Sequence, residues 1–286
     1  MAIHTIENDF LRVGVKEHGA ELTSVQSKKT GYEFLWQGDE AIWYGQAPIL
    51  FPIVGRLIDD AYTLNGTVYT MPKHGFARKS DFTLLSKDTD SMTFILSENS
   101  ATKAIYPYDF DLIVTYTLED NCLRVSHDVV NKNDSIMYFS LGAHPAFNCA
   151  MGDILRFDEK ETLATEKIDL VKSLRLPDKF SVLDDETDIV ITEDIFKEDA
   201  LILSGIKSDK VTLLSPSHSR TVQFDLGKAP YLGIWAKPGA PYVCIEPWYG
   251  VNDDTNKVAD FSQKCAIQSV EADDVFNFTW NAVFSE

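Results

Sequence analysis

The chain has 286 residues, of which 44% are hydrophobic and 12% aromatic, which is enough apolar material for a large core. This composition excludes a disordered or fibrous chain. With 26 Lys and Arg against 44 Asp and Glu, the formal net charge is −18 at pH 7. The summed field of such a chain repels nucleic acid and anionic membranes, so we expect a small molecule as the partner.

We expect neither a membrane span nor a secretion signal from this sequence. No apolar run reaches the roughly 18 residues that a membrane helix needs, and the first segment, MAIHTIENDF, lacks the charged and apolar regions of a signal peptide. The cysteines Cys122, Cys149, Cys244 and Cys265 are widely separated and lack CxxC spacing. We interpret them as reduced, mostly buried thiols of a cytoplasmic protein.

Alternating apolar residues, the pattern of a strand with one buried face, recur along the chain. Leu11, Val13 and Val15 are the first example. Residues 111–130 repeat the pattern on both sides of a turn at 119–121, which predicts a β-hairpin. The other predicted strands, in chain order, are 92–97, 136–141, 211–215, 221–225, 231–236, 242–246 and 276–280.

Long amphipathic helices are almost absent from this pattern. Many strands separated by Gly, Pro, Asn and Asp turns predict an all-β chain, either a sandwich or a barrel-like structure. No internal repeat or flexible linker divides the sequence, so residues 1–286 are expected to form one domain. The acidic stretch 184–199 has apolar residues among its charges and is interpreted as a solvated connection between strands.

Four short segments combine ionisable groups with Gly or Pro in a way that core strands do not require. They are PIVGR at 52–56, HGFAR at 74–78, GAHPAFN at 142–148 and CIEPWYG at 244–250. In HGFAR, an extended backbone would place His74, Phe76 and Arg78 on one face, so an imidazole and a cation would enter one cleft. The alternative is that His74 and Arg78 only satisfy local carbonyls and carboxylates.

His144 and Glu246 each precede a proline, which favours an extended backbone at both positions and holds both side chains in place. Glu246 also has apolar neighbours, which raise the pKa of a carboxyl toward a value useful for a general base. The alternative is a structural ion pair between Glu246 and an Arg. His127 lies on the apolar face of its strand and is interpreted as a hydrogen-bonded core histidine.

Other chemistries have less support in the sequence. A metal site built on His74 and His144 would need a third ligand, and no HxH or HExxH spacing is present. The motifs of phosphate-cradling loops, dinucleotide sites and serine hydrolases are also absent. Two-carboxylate glycoside hydrolysis remains an enzymatic alternative because the chain is rich in acids and aromatic residues.

Taken in order, these segments resemble the aldose 1-epimerase (galactose mutarotase) family, most closely its LacX-like bacterial branch. The resemblance covers essentially the whole chain. It consists of GAEL at 19–22, LFPIVGRL at 50–57, HGFAR at 74–78, GAHPAFN at 142–148, YLGIW at 231–235 and CIEPW at 244–248.

This resemblance implies a large antiparallel β-sandwich of the galactose mutarotase type, whose cleft binds a pyranose. It implies that Glu246 is the general base and His144 the general acid that open and reclose the sugar ring. His74 and Arg56 would bind the sugar, and Trp235 would line the cleft. No metal or other cofactor is implied.

The resemblance leaves three points open. The family's usual sugar-binding Asp has no clear register here, with Glu193, Asp194 and Asp199 as candidates. A free aldose is favoured as the substrate. The alternative substrate is a hexose 6-phosphate, whose phosphate Arg56, Arg78 and Lys237 could bind. The alternative function is that of an inactive sugar-binding protein or sensor. The chain is expected to be a monomer or homodimer. The candidate sugar-binding residues are Arg56, His74, Arg78 and Trp235.

Overall fold

The computed structural model describes residues 2–286, and antiparallel strands make up most of it. The strands are β1 Ile3–Glu7, β2 Leu11–Lys16, β3 Glu21–Ser27, β4 Ile49–Leu50, β5 Ala61–Leu64, β6 Thr67–Thr70, β7 Thr83–Lys87, β8 Ser91–Ser97, β9 Phe110–Glu119, β10 Cys122–Asn131, β11 Met137–Phe139, β12 Leu141–Ala143, β13 Ala146–Asn148, β14 Ile154–Ile168, β15 Arg175–Val190, β16 Leu201–Ser204, β17 Lys210–Ser215, β18 His218–Asp225, β19 Tyr231–Trp235, β20 Tyr242–Tyr249, β21 Gln268–Val270 and β22 Val275–Ser285.

Helical structure in residues 2–286 is confined to short segments. These are α1 (Ser100–Ile105) and 3₁₀ helices at Ile58–Asp60, Ala77–Lys79 and Phe261–Gln263. Asn99 caps α1 by accepting hydrogen bonds from the backbone N–H groups of Ala101 and Thr102. No helix in this part of the chain has the length and apolar character needed to cross a membrane.

Two large antiparallel sheets form the sandwich. One has nine strands in the order β15-β14-β17-β18-β22-β10-β9-β8-β7, and the other has six, in the order β16-β19-β20-β12-β4 with β13 also paired to β20. Aromatic side chains join them: the ring centroids of Tyr249 on β20 and Phe278 on β22 are 5.0 Å apart. Three smaller sheets, β1-β2-β3, β5-β6 and β11-β21, complete the fold.

The hairpin predicted at 111–130 is confirmed as β9 and β10. Leu112, Val114, Tyr116 and Leu118 are all buried, and they alternate with partly exposed neighbours. Leu118 pairs directly with Leu123 across the turn. One face of the hairpin therefore enters the core, which is why period-2 alternation detected it.

The acidic stretch 184–199 was only partly predicted correctly. Its first seven residues belong to β15, which pairs with β14 in a long hairpin at one edge of the nine-stranded sheet. Edge strands are commonly rich in charge because charged side chains block further strand pairing. The charges therefore mark an exposed edge strand, and only the part after Val190 is a connection.

Two predictions about burial also need correction. Of the free cysteines, only Cys244 is buried, while Cys265 is exposed and the other two lie between these extremes. His127 is buried and stacks on Phe278 with ring centroids 5.3 Å apart. Its Nδ1 has no hydrogen-bond partner in residues 2–286, so it is a core histidine but not a fully hydrogen-bonded one.

Candidate active site

Strand β20 lies inside the six-stranded sheet, with β19 on one side and β12 and β13 on the other. Because side chains alternate along a strand, Cys244, Glu246 and Trp248 share one face. Tyr249, on the opposite face, contacts the nine-stranded sheet. The face that carries Glu246 is thus directed away from the sandwich core.

A cavity of about 300 Å³ opens over this face of β20. Its size is at the lower end of the range of small-molecule sites. It is lined by Trp43, Pro48, Lys73, His74, Arg78, His144, Ile168, Asp199, Ala200, Ile202, Trp235, Glu246, Trp248 and Asn252.

His144 and Glu246 meet at the floor of this cavity. His144 lies between β12 and β13, and its Nε2 is 3.2 Å from Oε2 of Glu246. The Glu246 side chain is 1% exposed and the His144 side chain 11%. Despite the short distance, Oε2 has no aligned hydrogen-bond partner in residues 2–286. The carboxylate and the imidazole are therefore adjacent, and both line the space where a ligand would lie.

Burial shifts both titrations away from their ordinary values. Removal of water raises the pKa of Glu246 well above 4.5, and it lowers the pKa of His144 from 6.5 to about 3. Both shifts favour the neutral form of the side chain, because a buried charge without a partner is costly. Between these two pKa values the pair holds one proton, which burial favours on Glu246.

Aromatic rings fix the orientation of His144. Trp43 stacks on its imidazole with ring centroids 5.2 Å apart, and Trp235 meets it edge-on at 5.8 Å. The Trp43 backbone is itself held by Trp36, whose indole N–H donates to the Trp43 carbonyl. His144 therefore cannot rotate freely, as proton transfer to a bound molecule requires.

His74 lines the same cavity, but the expected extended HGFAR segment is wrong. His74 has φ 65° and Gly75 φ 69°, and a 3₁₀ helix follows. A Cβ on Gly75 would lie 2.1 Å from the Phe51 carbonyl oxygen, so the close approach of these backbones requires glycine. Phe76 turns into the core, while His74 and Arg78 still reach the cavity.

The tautomer of His74 follows from its contacts. The Gly55 N–H donates to His74 Nδ1 at 3.1 Å. Burial holds the pKa of His74 well below 6.5, so its ring is neutral and carries hydrogen on Nε2. His74 can therefore donate a hydrogen bond to a ligand oxygen. The PIVGR segment at 52–56 therefore positions His74 through the N–H of Gly55.

Arg56, a predicted sugar ligand, does not line the cavity. Its guanidinium forms two hydrogen bonds of 2.7 Å with the carboxylate of Asp60. Lys237, a candidate phosphate ligand, is exposed and also lies outside the lining. The structure therefore assigns neither residue a ligand contact.

The three acidic candidates in the 193–199 stretch are distinguished by position. Asp199 lines the cavity just before β16, where its Oδ1 accepts from the Ala200 N–H at 2.9 Å. Asp194 is exposed and pairs with Lys197, and Glu193 is exposed as well. Asp199 is the member of this stretch that a ligand in the cavity would meet.

Sequence reasoning missed several lining residues, notably Trp43, Lys73 and Asn252. Trp43 belongs to an aromatic pair in an otherwise polar loop, a signal that could have drawn notice. Lys73 adjoins the HGFAR segment. Asn252 follows β20 and donates to the Ser173 carbonyl at 2.8 Å. Its position depends on the tip of the β14-β15 hairpin, which sequence patterns do not place next to β20.

The fold and the cavity define a β-sandwich with a buried carboxyl and imidazole side by side in a small-molecule cavity. The sequence model of the aldose 1-epimerase family matches residues 2–280. Protein LacX, chromosomal, from Lactococcus lactis subsp. lactis is 34% identical over 262 residues, or 86% of this chain and 87% of that protein.

Two solved structures superpose closely. A galactose mutarotase related enzyme from Lactobacillus acidophilus has a TM-score of 0.94 and 33% identity, covering 100% of this chain and 98% of that one. A galactose mutarotase-like protein from Lactobacillus casei ATCC 334 has a TM-score of 0.94 and 32% identity, covering 99% and 100%. The chain belongs to the aldose 1-epimerase family. It is an isomerase that interconverts the anomers of a sugar.

Proposed function

We propose that His144 and Glu246 carry out anomer exchange on a free hexose. The contact between His144 Nε2 and Glu246 Oε2 supports this proposal most directly: 3.2 Å apart, these atoms line one cavity. Anomer exchange moves protons at two oxygens bound to the same carbon, the C1 hydroxyl and the ring oxygen. An acid and a base that serve neighbouring oxygens must themselves be neighbours.

The reaction balances with a single proton on the pair. Burial favours that proton on Glu246 at rest, and in the reactive form it has moved to His144, which leaves Glu246 ionised. Glu246 removes the proton from the C1 hydroxyl while His144 donates one to the ring oxygen. The bond from C1 to the ring oxygen then breaks and C1 becomes an aldehyde carbon. After rotation about the C1–C2 bond, Glu246 returns its proton to the aldehyde oxygen and His144 accepts one from the ring-oxygen hydroxyl. The ring recloses as the other anomer, and the enzyme returns to its starting state.

The remaining cavity residues are suited to binding hydroxyl groups. His74 offers an N–H donor, and Asp199 offers a carboxylate acceptor. Trp235 provides an apolar wall, and Arg78 contributes donors. The Asp199 carboxylate can accept hydrogen bonds from sugar hydroxyl groups, which supports a free aldose.

The experiment follows anomer exchange after α-glucose and α-galactose are freshly dissolved, by polarimetry or NMR, with the 6-phosphates in parallel. We expect the free sugars to equilibrate faster with enzyme than in buffer alone. Equilibration at the buffer rate for every sugar would contradict the proposal and favour a binding protein.

One observation supports a hexose 6-phosphate as a second candidate. Lys73 and Arg78 line the cavity, and in residues 2–286 neither forms an ion pair with a carboxylate. Comparing Lys73→Met with Lys237→Met separates the two substrates. If the 6-phosphate is used, kcat/KM for it should fall at least ~10-fold in K73M only, because a charge-assisted ion pair in a partly buried site contributes about 1.4 kcal/mol or more.

We also propose that residues 1–286 act as one domain and that a single chain is sufficient for activity. One core cluster includes residues from Ile6 to Phe284. A specific activity that does not change with protein concentration would support the proposal that a single chain is sufficient, whether the chain is monomeric or forms a homodimer.

A further inference from the structure

Next to the acid–base pair lies a thiol that the proposed reaction does not use. Cys244 precedes Glu246 by two residues on β20, so both side chains are on the same face of the strand. The Cys244 sulfur, a His144 ring nitrogen and a Glu246 carboxylate oxygen all lie within 4.8 Å of one another. Cys244 is fully buried and does not line the cavity, whereas His144 and Glu246 do.

We propose that Cys244, His144 and Glu246 form a binding site for zinc, in which the metal inhibits the enzyme by occupying its acid–base pair. Thiolate, imidazole and carboxylate are the three ligand types that zinc binds in proteins. Sequence spacing did not reveal this set because His144 is about a hundred positions from the other two. The short strands β12 and β13 pair with β20, and these pairings bring His144 next to Cys244 and Glu246.

The distances suit a tetrahedral ion. Ligand bonds of about 2.0–2.2 Å to nitrogen and oxygen place those two atoms about 3.3 Å apart around zinc, and the His144 and Glu246 atoms are 3.2 Å apart. The thiolate bond is about 2.3 Å, so the Cys244 sulfur has to approach by at most about an ångström. Rotation of one side-chain torsion produces movements of this size.

Charge also favours the ion. A buried carboxylate and a buried thiolate are each costly when unpaired. A Zn²⁺ ion bound by the thiolate, the carboxylate and the neutral imidazole makes the site neutral. Two protons are released to solvent as the ligand bonds form, one from the Cys244 thiol and one from the Glu246–His144 pair. The unpartnered Oε2 of Glu246 gains a ligand bond. Three protein ligands leave the fourth position of the tetrahedron for a water molecule.

Metal binding is independent of the proposed function, whereas inhibition rests on it, so the two are measured separately. Protein stripped of metal by a chelator is titrated with Co²⁺, which reports a thiolate ligand through a near-ultraviolet charge-transfer band. We expect the band in the wild type and in Cys265→Ala, whose thiol is exposed and outside the cluster. We expect it to be absent in Cys244→Ala. A band of equal strength in C244A would overturn the site.

Inhibition is then tested with Zn²⁺ in the anomer-exchange assay. Zinc should inhibit wild type and C265A equally. A chelator or a higher sugar concentration should relieve this inhibition. The inhibition constant of C244A, measured against its own zinc-free rate, should rise at least ~10-fold, as expected when a metal site loses one ligand. Equal zinc sensitivity in C244A would contradict the proposal.

The test does not depend on one variant folding. If circular dichroism shows that C244A is unfolded, His144→Asn is examined by the cobalt titration alone, which requires no activity. Weaker Co²⁺ binding in H144N supports the site, and unchanged binding overturns it. A protein that binds Co²⁺ through Cys244 but does not exchange anomers would disprove the proposed function and leave the metal site intact.

Discussion

Glu246 combines two properties that rarely occur together, since it is 1% exposed and its Oε2 has no hydrogen-bond partner in the described chain. A residue that served only the fold would be expected to pair with a cation, and no Arg or Lys forms an ion pair with Glu246 in residues 2–286. The side chain next to it is the imidazole of His144, which is itself largely buried. This arrangement costs stability and is explained by proton transfer to a bound molecule.

The first prediction concerns the pair itself. Glu246→Gln keeps the size of the side chain but cannot accept a proton, so kcat should fall at least ~10²-fold, or roughly 3 kcal/mol of transition-state stabilisation. His144→Asn should have a similar effect. The double variant should be little worse than either single variant, because the two groups act as a unit.

Polarimetry measures these rates, and circular dichroism with a sugar-binding assay shows whether each variant is folded. A folded E246Q that exchanges anomers at nearly the wild-type rate would show that another residue is the base. An unfolded one would instead favour a structural role for this carboxyl.

The second prediction is the pH dependence of exchange. The pair is active with one proton, so activity falls on the acid side when a second proton is bound and on the alkaline side when the shared one is lost. Since the pKa of His144 is lowered to about 3, acidification through pH 6.5 should leave the rate unchanged. Because the pKa of Glu246 is raised, the alkaline loss should occur well above pH 4.5.

The pH profile is obtained from kcat/KM between about pH 4 and 9 after the buffer-catalysed rate is subtracted. An acid-side loss centred on pH 6.5 would indicate an ordinary, solvent-exposed histidine. It would contradict the lowered pKa of His144 in a buried pair that holds one proton.

At the scale of elements, the sequence pattern predicts strands correctly where one face of the strand is buried. It does not predict the backbone conformation where a contact distant in sequence determines it. Alternation revealed β9 and β10 because each has a core face. The His74 turn could not be predicted, since its shape depends on the close approach of Gly75 to Phe51. Arg56 likewise fits the family motif, but its orientation is set by Asp60.

The third prediction tests this turn. Gly75→Ala adds a methyl group 2.1 Å from the Phe51 carbonyl oxygen, at φ 69°, so the backbone and His74 must move. Gly66→Ala is the matched control, with φ 78° and no atom within 4 Å of the added carbon.

G66A should lose about 1–2 kcal/mol of unfolding free energy, the usual cost of a left-handed non-glycine residue. G75A should lose more and should also lower kcat/KM, because His74 is displaced. Denaturant unfolding and the exchange assay measure the two effects. Equal losses of stability in both variants would show that the approach to Phe51 does not constrain the turn.

At the scale of the whole molecule, the charge of the surface and that of the cavity differ in sign. The chain has a formal net charge of −18, whereas Lys73 and Arg78 bring two cations into a cavity that also contains Asp199. The general field repels anions at long range, and the cavity cations attract them at short range. A neutral sugar experiences neither effect, so ionic strength distinguishes the two kinds of substrate.

The last prediction is that kcat/KM for free glucose or galactose changes by less than about twofold when salt rises from about 0.01 M to 1 M. Over this range the screening length falls from about 30 Å to 3 Å, which removes nearly all long-range electrostatic effects. Glycerol-matched controls keep viscosity constant, and unfolding curves at both salt concentrations show that stability is not the cause of any change. For a 6-phosphate, loss of the long-range repulsion should raise kcat/KM, and screening of Lys73 should lower it, so some dependence on salt is expected. A steep salt dependence with the free sugars would mean that charge governs their capture, and it would contradict recognition through hydroxyl groups.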